Sequence, residues 1–242
     1  MSDYRDTLYG RYVSGFQQRP DVPATPAATA RQFRIQAYHL RDWLPAALDA
    51  NILDAGCGAG ELLAFFQHRG YANIQGVDVS PEQVELCRRV TPRVAQGDVL
   101  EYLAATEGQF DLISAMDLVE HLSKDELLRF LTACRRALKP GGRIIIQTPN
   151  PGSPFFGEIR YGDLTHEQAL TPKLLERLLA LHGFGDVSCR EAGPVPVSGA
   201  KGLVRWILWQ VICTVRRAYD LVECGGSHGI YTRVYLCSAI AR

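Results

Sequence analysis

With 242 residues, 47% hydrophobic and 21% charged, and no polar tract long enough for a linker, the chain reads as one globular unit over 1–242 with terminal additions. Lysine plus arginine (26) balances aspartate plus glutamate (26), which excludes the broad basic field that gathers a phosphate polymer, so no nucleic-acid partner is expected despite the pairs Arg88/Arg89, Arg135/Arg136 and Arg216/Arg217. Seven scattered cysteines without a Cys-x-x-Cys pair argue against a disulfide framework, and Met1–Asp21 has mixed charges and no apolar run, so the expected setting is the reducing cytoplasm.

A short Tyr-rich arm comes first, and Arg19–Thr29, without periodicity, reads as a loop. Ala30–Leu44 carries Phe33, Ala37, Leu40 and Leu44 at helical spacing, closed by Pro45. From Asn51, short apolar runs alternate with helical patterns. Strands are predicted at Asn51–Ala55, Ile74–Asp78, Arg93–Gln96, Phe110–Ala115 and Arg143–Thr148, with helices at Glu61–His68, Pro81–Arg89 (capped by Ser80) and Lys124–Leu138. Leu138-Lys139-Pro140-Gly141-Gly142 reads as a turn, and Thr171-Pro172 opens a helix to Leu181 that His182-Gly183 ends. Val187–Arg190 and Thr232–Ile240 are the last two strands, separated by an insertion at Gly193–His228. The alternation predicts an α/β fold, a mostly parallel sheet with helices on both faces.

The first predicted strand runs straight into Gly56-Cys57-Gly58-Ala59-Gly60 and then a helix. Glycines let a ligand approach the backbone, and the helix start offers free N–H groups. The spacing G-x-G-x-G departs from the G-x-G-x-x-G of dinucleotide sites, which disfavours an oxidoreductase using a nicotinamide cofactor. Asp54 precedes the first glycine, where a negative charge suits the ammonium of an amino-acid moiety and opposes a pyrophosphate. Asp78 ends the second strand, a position from which carboxylates accept ribose hydroxyls, and Asp98 follows the third.

Together these motifs resemble the class I S-adenosylmethionine-dependent methyltransferases over roughly Ala30 to Arg190 plus the final strand. The resemblance implies a Rossmann-like, doubly wound, seven-stranded sheet with a C-terminal antiparallel strand, and S-adenosylmethionine as methyl donor. By the same resemblance Gly56 and Gly58 line the methionine part, Asp78 binds the ribose, and Asp98 meets the adenine amine beside Val99. Asp54, Cys57, Gly60, Val79 and Met116 complete the expected cofactor set.

Phe110–His121 covers the fourth strand and the loop past its carboxyl end, where ligands bind in open α/β sheets. It lacks the Asn/Asp-Pro-Pro-aromatic motif of DNA amino-methylating enzymes. The loop Asp117–His121 followed by Leu-Lys-Pro-Gly-Gly resembles the small-molecule branch, which includes quinone-ring and sugar enzymes. Gln147-Thr148-Pro149-Asn150, then Arg160–His166 and Ala169–Pro172, is similar to methyltransferases of bacterial polysaccharide and lipopolysaccharide biosynthesis. The expected reaction is therefore O-methylation of a small-molecule or glycan acceptor, with a lipid-linked acceptor left open. A quinone-type ring hydroxyl is the alternative, and a nonenzymatic S-adenosylmethionine-binding subunit is the alternative of another class. An acceptor hydroxyl benefits from a base, for which His121 and His166 are candidates, with Asp117 and Asp163 as orienting or metal-binding carboxylates on the substrate side. The sequence does not require a divalent metal.

In the insertion, Leu203–Val215 is apolar and bounded by Lys201, Arg205, Arg216 and Arg217, too short and too charged to span a bilayer. Three placements fit it: a lid over the acceptor, a homodimer helix, or peripheral contact of 202–217 with a membrane surface.

Overall fold

The computed structural model describes residues 3–11, 13–14, 25–227 and 229–242. Its strands are β1 (Asn51–Ala55), β2 (Asn73–Asp78), β3 (Val94–Gln96), β4 (Phe110–Met116), β5 (Leu138–Pro149), β6 (Phe184–Glu191) and β7 (Val234–Ala241). The helices are α1 (Asp3–Tyr9), α2 (Pro26–His39), α3 (Glu61–His68), α4 (Pro81–Cys87), α5 (Val99–Ala104), α6 (Lys124–Ala137), α7 (Phe156–Gly162), α8 (Pro172–Leu181) and α9 (Ala200–Cys224). One seven-stranded sheet has the order β3-β2-β1-β4-β5-β7-β6. Pairing is parallel from β3 across to β5, and β7 runs antiparallel to both β5 and β6, as expected.

Alternation along the strands supplies a core on each face. Ile52, Leu112, Ile145 and Leu236 point to one side, where they pack with Leu63, Phe66, Val84 and other residues of α3 and α4. Leu53, Ile113, Ile144 and Ile146 point to the other, against Leu103 of α5, Phe130 of α6 and Leu179 of α8. α6 shows how the sequence dictates this packing. Ser123 and Glu126 form a reciprocal capping box, and Leu127, Phe130, Leu131 and Cys134 recur on one buried stripe.

Several boundaries differ from the sequence reading. α2 starts at Pro26, inside the predicted loop, because the Thr25 side chain accepts from Ala28 N and proline suits a first helical turn. It ends at His39 rather than at Leu44, and Asp42 at φ 68° turns the chain so that Trp43 enters the core. Residues 19–24 of that loop lie outside the described residues. The predicted turn Leu138–Gly142 belongs to β5: Leu138 pairs with Phe110 and Arg143 with Leu112, so the extra residues form a bulge, with Gly141 at φ 77°. The Tyr-rich arm and the loop after Pro149 contain α1 and α7.

Gly76 in β2 lies directly beneath the glycine turn. A β-carbon there would sit 2.7 Å from Cys57 Sγ and 2.9 Å from Leu63 Cδ1, both in the packed interior. Gly76→Ala should therefore destabilise the fold by about 1–3 kcal/mol through overpacking. Urea unfolding measures it, and an unchanged midpoint would show that the turn yields freely.

Candidate functional site

The strand order reverses between β1 and β4, and the carboxyl ends of the parallel strands open into a crevice at that point. From β3 toward β5 the chain places along this edge Asp98, Asp78, the glycine turn and Met116 in turn, so residues far apart in sequence become neighbours.

Gly58, at φ 51°, would have a β-carbon with nothing nearer than Gln83 Oε1 at 3.9 Å, so its bare backbone faces open space. Gly60 has a packing role as well: at φ 86°, its β-carbon would meet Cys87 Sγ at 2.8 Å, so only glycine lets α3 start this close to α4. The turn is fastened to β2. Gly56 N and Cys57 N donate to Val77 O at 2.9 and 3.1 Å. Asp78 Oδ2 accepts from Gly58 N at 2.9 Å, and its Oδ1 accepts from Ser80 N at 2.9 Å. Each oxygen keeps a second lone pair for a hydroxyl partner. Burial raises the Asp78 carboxyl above its ordinary value, and the backbone donors work against that rise.

Three expected cofactor residues also have partners within the fold. Asp54 is buried and accepts from Ser114 Oγ at 2.7 Å, which braces β1 against β4. The Cys57 side chain turns into the core beside Gly76, leaving only its backbone in the turn. Asp98 is the N-cap of α5, its Oδ1 accepting from Leu100 N and Glu101 N at 2.6 and 3.3 Å, with Oδ2 left for a ligand. Val79, Val99 and Met116 are half-buried beside these groups.

The far side of the crevice is built on a 3-10 turn, Val119–His121, that follows β4. Glu120 is buried and accepts from Thr148 Oγ1 of β5 at 3.0 Å; burial, and then the nearness of Asp117, push its carboxyl well above the usual range. His121 Nδ1 lies 2.8 Å from Thr165 Oγ1, whose own proton goes to Asp163 Oδ1 at 2.5 Å. The hydroxyl therefore accepts from His121 Nδ1–H, and the lone pair sits on Nε2. Burial, then His166, lower the His121 pKa to about 4, so its ring is neutral at pH 7. His166 Nδ1 is 3.1 Å from Ile159 O, a pure acceptor, which likewise fixes Nδ1–H and leaves Nε2 as the basic nitrogen. The two rings are 4.7 Å apart between centroids.

Glu120, His121 and His166 each offer a ligand atom, and these atoms lie within 4.8 Å of one another. Among the described residues they are the set that could hold a divalent cation. The expected carboxylates are not in it. Asp163 reaches His121 through Thr165, while Asp117, exposed at φ 52°, accepts from Gln147 Nε2 at 2.9 Å. Sequence reasoning missed Glu120, although it adjoins His121, and it missed Thr165. It also missed Arg5 of α1, which pairs with Glu126 at 2.8 Å and donates to His121 O at 3.0 Å, bringing the N-terminal arm over this side.

A family model described as "Methyltransferase domain" matches residues 52–142. A ubiquinone biosynthesis O-methyltransferase from Xanthomonas oryzae pv. oryzae is 36% identical over 121 residues, 45% of this chain and 48% of that protein. The chain thus spans about half the length of the curated relatives it matches. A SAM-dependent methyltransferase from Archaeoglobus fulgidus has a similar fold, with a TM-score of 0.64 at 22% identity over 99% of this chain and 100% of that one. Phosphoethanolamine N-methyltransferase 2 from Haemonchus contortus, solved with S-adenosyl-L-methionine, gives a TM-score of 0.61 at 17% identity over 99% of this chain and 60% of that one.

Burial lifts the Asp54 carboxyl from 3.8 to about 7, more than the Ser114 hydrogen bond lowers it. A raised folded-state value stabilises the protein fully below about pH 4, and this contribution is lost as pH climbs through about 7. Asp54→Asn keeps an acceptor for Ser114 and removes the titration. Its unfolding free energy should therefore fall less between these pH values than that of the unaltered chain; parallel denaturant curves would show that Asp54 is charged throughout.

Proposed function

We propose, from the premise that residues 52–142 belong to the methyltransferase domain family and that the chain has the class I S-adenosylmethionine-dependent fold, that this protein methylates a hydroxyl of a small acceptor. In this reading the donor lies along the β3-β2-β1-β4 edge. Asp78 takes the ribose hydroxyls, Asp98 and Val99 the adenine, and Gly56 and Gly58 line the methionine part, with Met116 toward the methyl group. The sulfonium methyl is already electrophilic, so the protein's task is alignment and removal of the acceptor proton.

The observation that carries the reading is the pair of histidines with both Nε2 lone pairs fixed on the acceptor side of that edge. His166 accepts the acceptor proton, and His121, neutral beside it, leaves room for the positive charge. Glu120, nearby, can balance that charge when it is ionised.

The curated relative acts in ubiquinone biosynthesis by its name, which favours a ring hydroxyl; the polysaccharide acceptor has no such support. The match covers mainly the donor half, however, so acceptors are compared directly: a catechol-type ring and a nucleotide-linked sugar, each with labelled donor. Methyl transfer to neither, with the donor bound, would favour a nonenzymatic donor-binding subunit.

Asp78→Ala should weaken S-adenosylmethionine binding by about 1–3 kcal/mol, through loss of charge-assisted partners and of the brace on Gly58. Calorimetry measures it, and unchanged affinity would remove the ribose assignment. His166→Ala should lower turnover about 100-fold while donor affinity stays within about two-fold. Undiminished turnover would return His166 to a packing role. A chelator separates the two chemistries of the trio, since it leaves a purely basic His166 active and silences a cation-assisted site.

A further inference from the structure

We propose that α9 seats this protein on an anionic lipid bilayer, lying flat in the headgroup layer with its outward face against the acyl chains. At about 100° per residue the helix sorts its side chains into two faces. Trp209, Cys213, Arg216 and Asp220, spaced i, i+4, i+7 and i+11, form the seam on the protein body. Cys213 is buried, Arg216 Nη2 donates to Gly152 O at 3.5 Å, and Asp220 Oδ2 accepts from Tyr231 OH at 3.2 Å.

The opposite face carries Val204, Ile207, Leu208, Val211, Ile212 and Val215, each 46–63% exposed, as one continuous stripe. A helix of a globular protein turns such a stripe to the core and its charges outward. α9 does the reverse, attaching through a seam that includes an arginine and an aspartate. A lid would have its stripe against the crevice, so that placement does not fit.

Charge identifies what covers the stripe. From Ala200 to Tyr219 there is no acidic residue, while Lys201 and Arg205 flank the apolar face near its start. The matching stretch of a second copy offers no acidic partner for these cations, whereas an anionic bilayer meets both the charge and the apolar stripe. Trp209, half-buried where the seam meets the stripe, has the amphipathic ring that prefers a headgroup layer. A groove of about 540 Å³ lined by Val204, Leu208 and Ile212, with Lys201 and Arg205 among its lining residues, has room for an acyl chain beneath a phosphate. No helix among the described residues is long and apolar enough to cross a membrane, which agrees with one that lies on it.

The seam reaches the acceptor side, because Gly152 follows β5 on the way to His166. That an acceptor would arrive from the bilayer rests on the methyl-transfer reading; the attachment itself does not.

The test is flotation of the full chain with phosphatidylcholine vesicles with and without phosphatidylglycerol. Co-flotation with the anionic vesicles and a blue shift of tryptophan emission are expected, with little binding to the neutral ones. Ile207→Ser with Val211→Ser should cut the bound fraction about ten-fold at unchanged helicity and donor affinity, and Lys201→Glu with Arg205→Glu should do so without touching the stripe. Absence of flotation with anionic vesicles would overturn the proposal. So would a solution dimer that the serine pair dissociates while vesicles leave it unbound. Vesicle binding that survives in an inactive Asp78→Ala chain would keep the surface and the enzyme reading separate.

Discussion

The handedness of parallel crossovers organises this molecule. A right-twisted strand, its helix and the next parallel strand close compactly in one hand only, so β1, β2 and β3 progress in one direction with α3 and α4 on one face. The chain then returns to lay β4 on the other side of β1, with α5 and α6 on the opposite face. No helix can cover the strand ends where the two directions part. The glycine turn, Asp78 and the loop after β4 all border that gap, and it exists whatever their identity.

What those residues add is rigidity at the gap. Asp78 holds the glycine turn from below, Ser114 ties Asp54 across the β1/β4 divide, and Thr148 holds Glu120 from β5. The three bonds join neighbouring strands, β2 to β1, β1 to β4 and β4 to β5, so the polar network runs across the divide along the strand ends. Burying these carboxyls raises the proton affinities of Asp54, Asp78 and Glu120 alike, and hydrogen bonding offsets only part of the effect.

Much of this was legible in the chain because it rests on local chemistry. β1, α3 and α8 match their predicted limits, since a buried apolar run, a glycine turn and a Thr-Pro start are written in adjacent residues. The glycine turn and Asp78 were readable for the same reason, as their spacing reflects one strand–turn–helix unit and the strand after it. The bulge at the start of β5 was not, because Lys139–Gly142 looks like a turn until Phe110 pairs with Leu138. Nor was the cluster of Glu120, His121 and His166, whose members meet only when α7 folds the segment after β5 back over the 3-10 turn. Asp163 lies three residues from His166, yet it reaches His121 through a threonine hydroxyl that no spacing rule records.

β6 and β7 are antiparallel neighbours, and such a pair needs only a short reversal to join it. Here residues 192–233 intervene, and most of that length is α9. The sheet asks nothing of this stretch beyond returning to its starting point. The outward face of α9 is consequently free to drift without disturbing the strands on either side, as a tool head can be exchanged on an unaltered handle. A lineage carrying this sheet could acquire or discard an attachment surface in a single insertion or deletion, while the donor crevice at the opposite strands kept its shape.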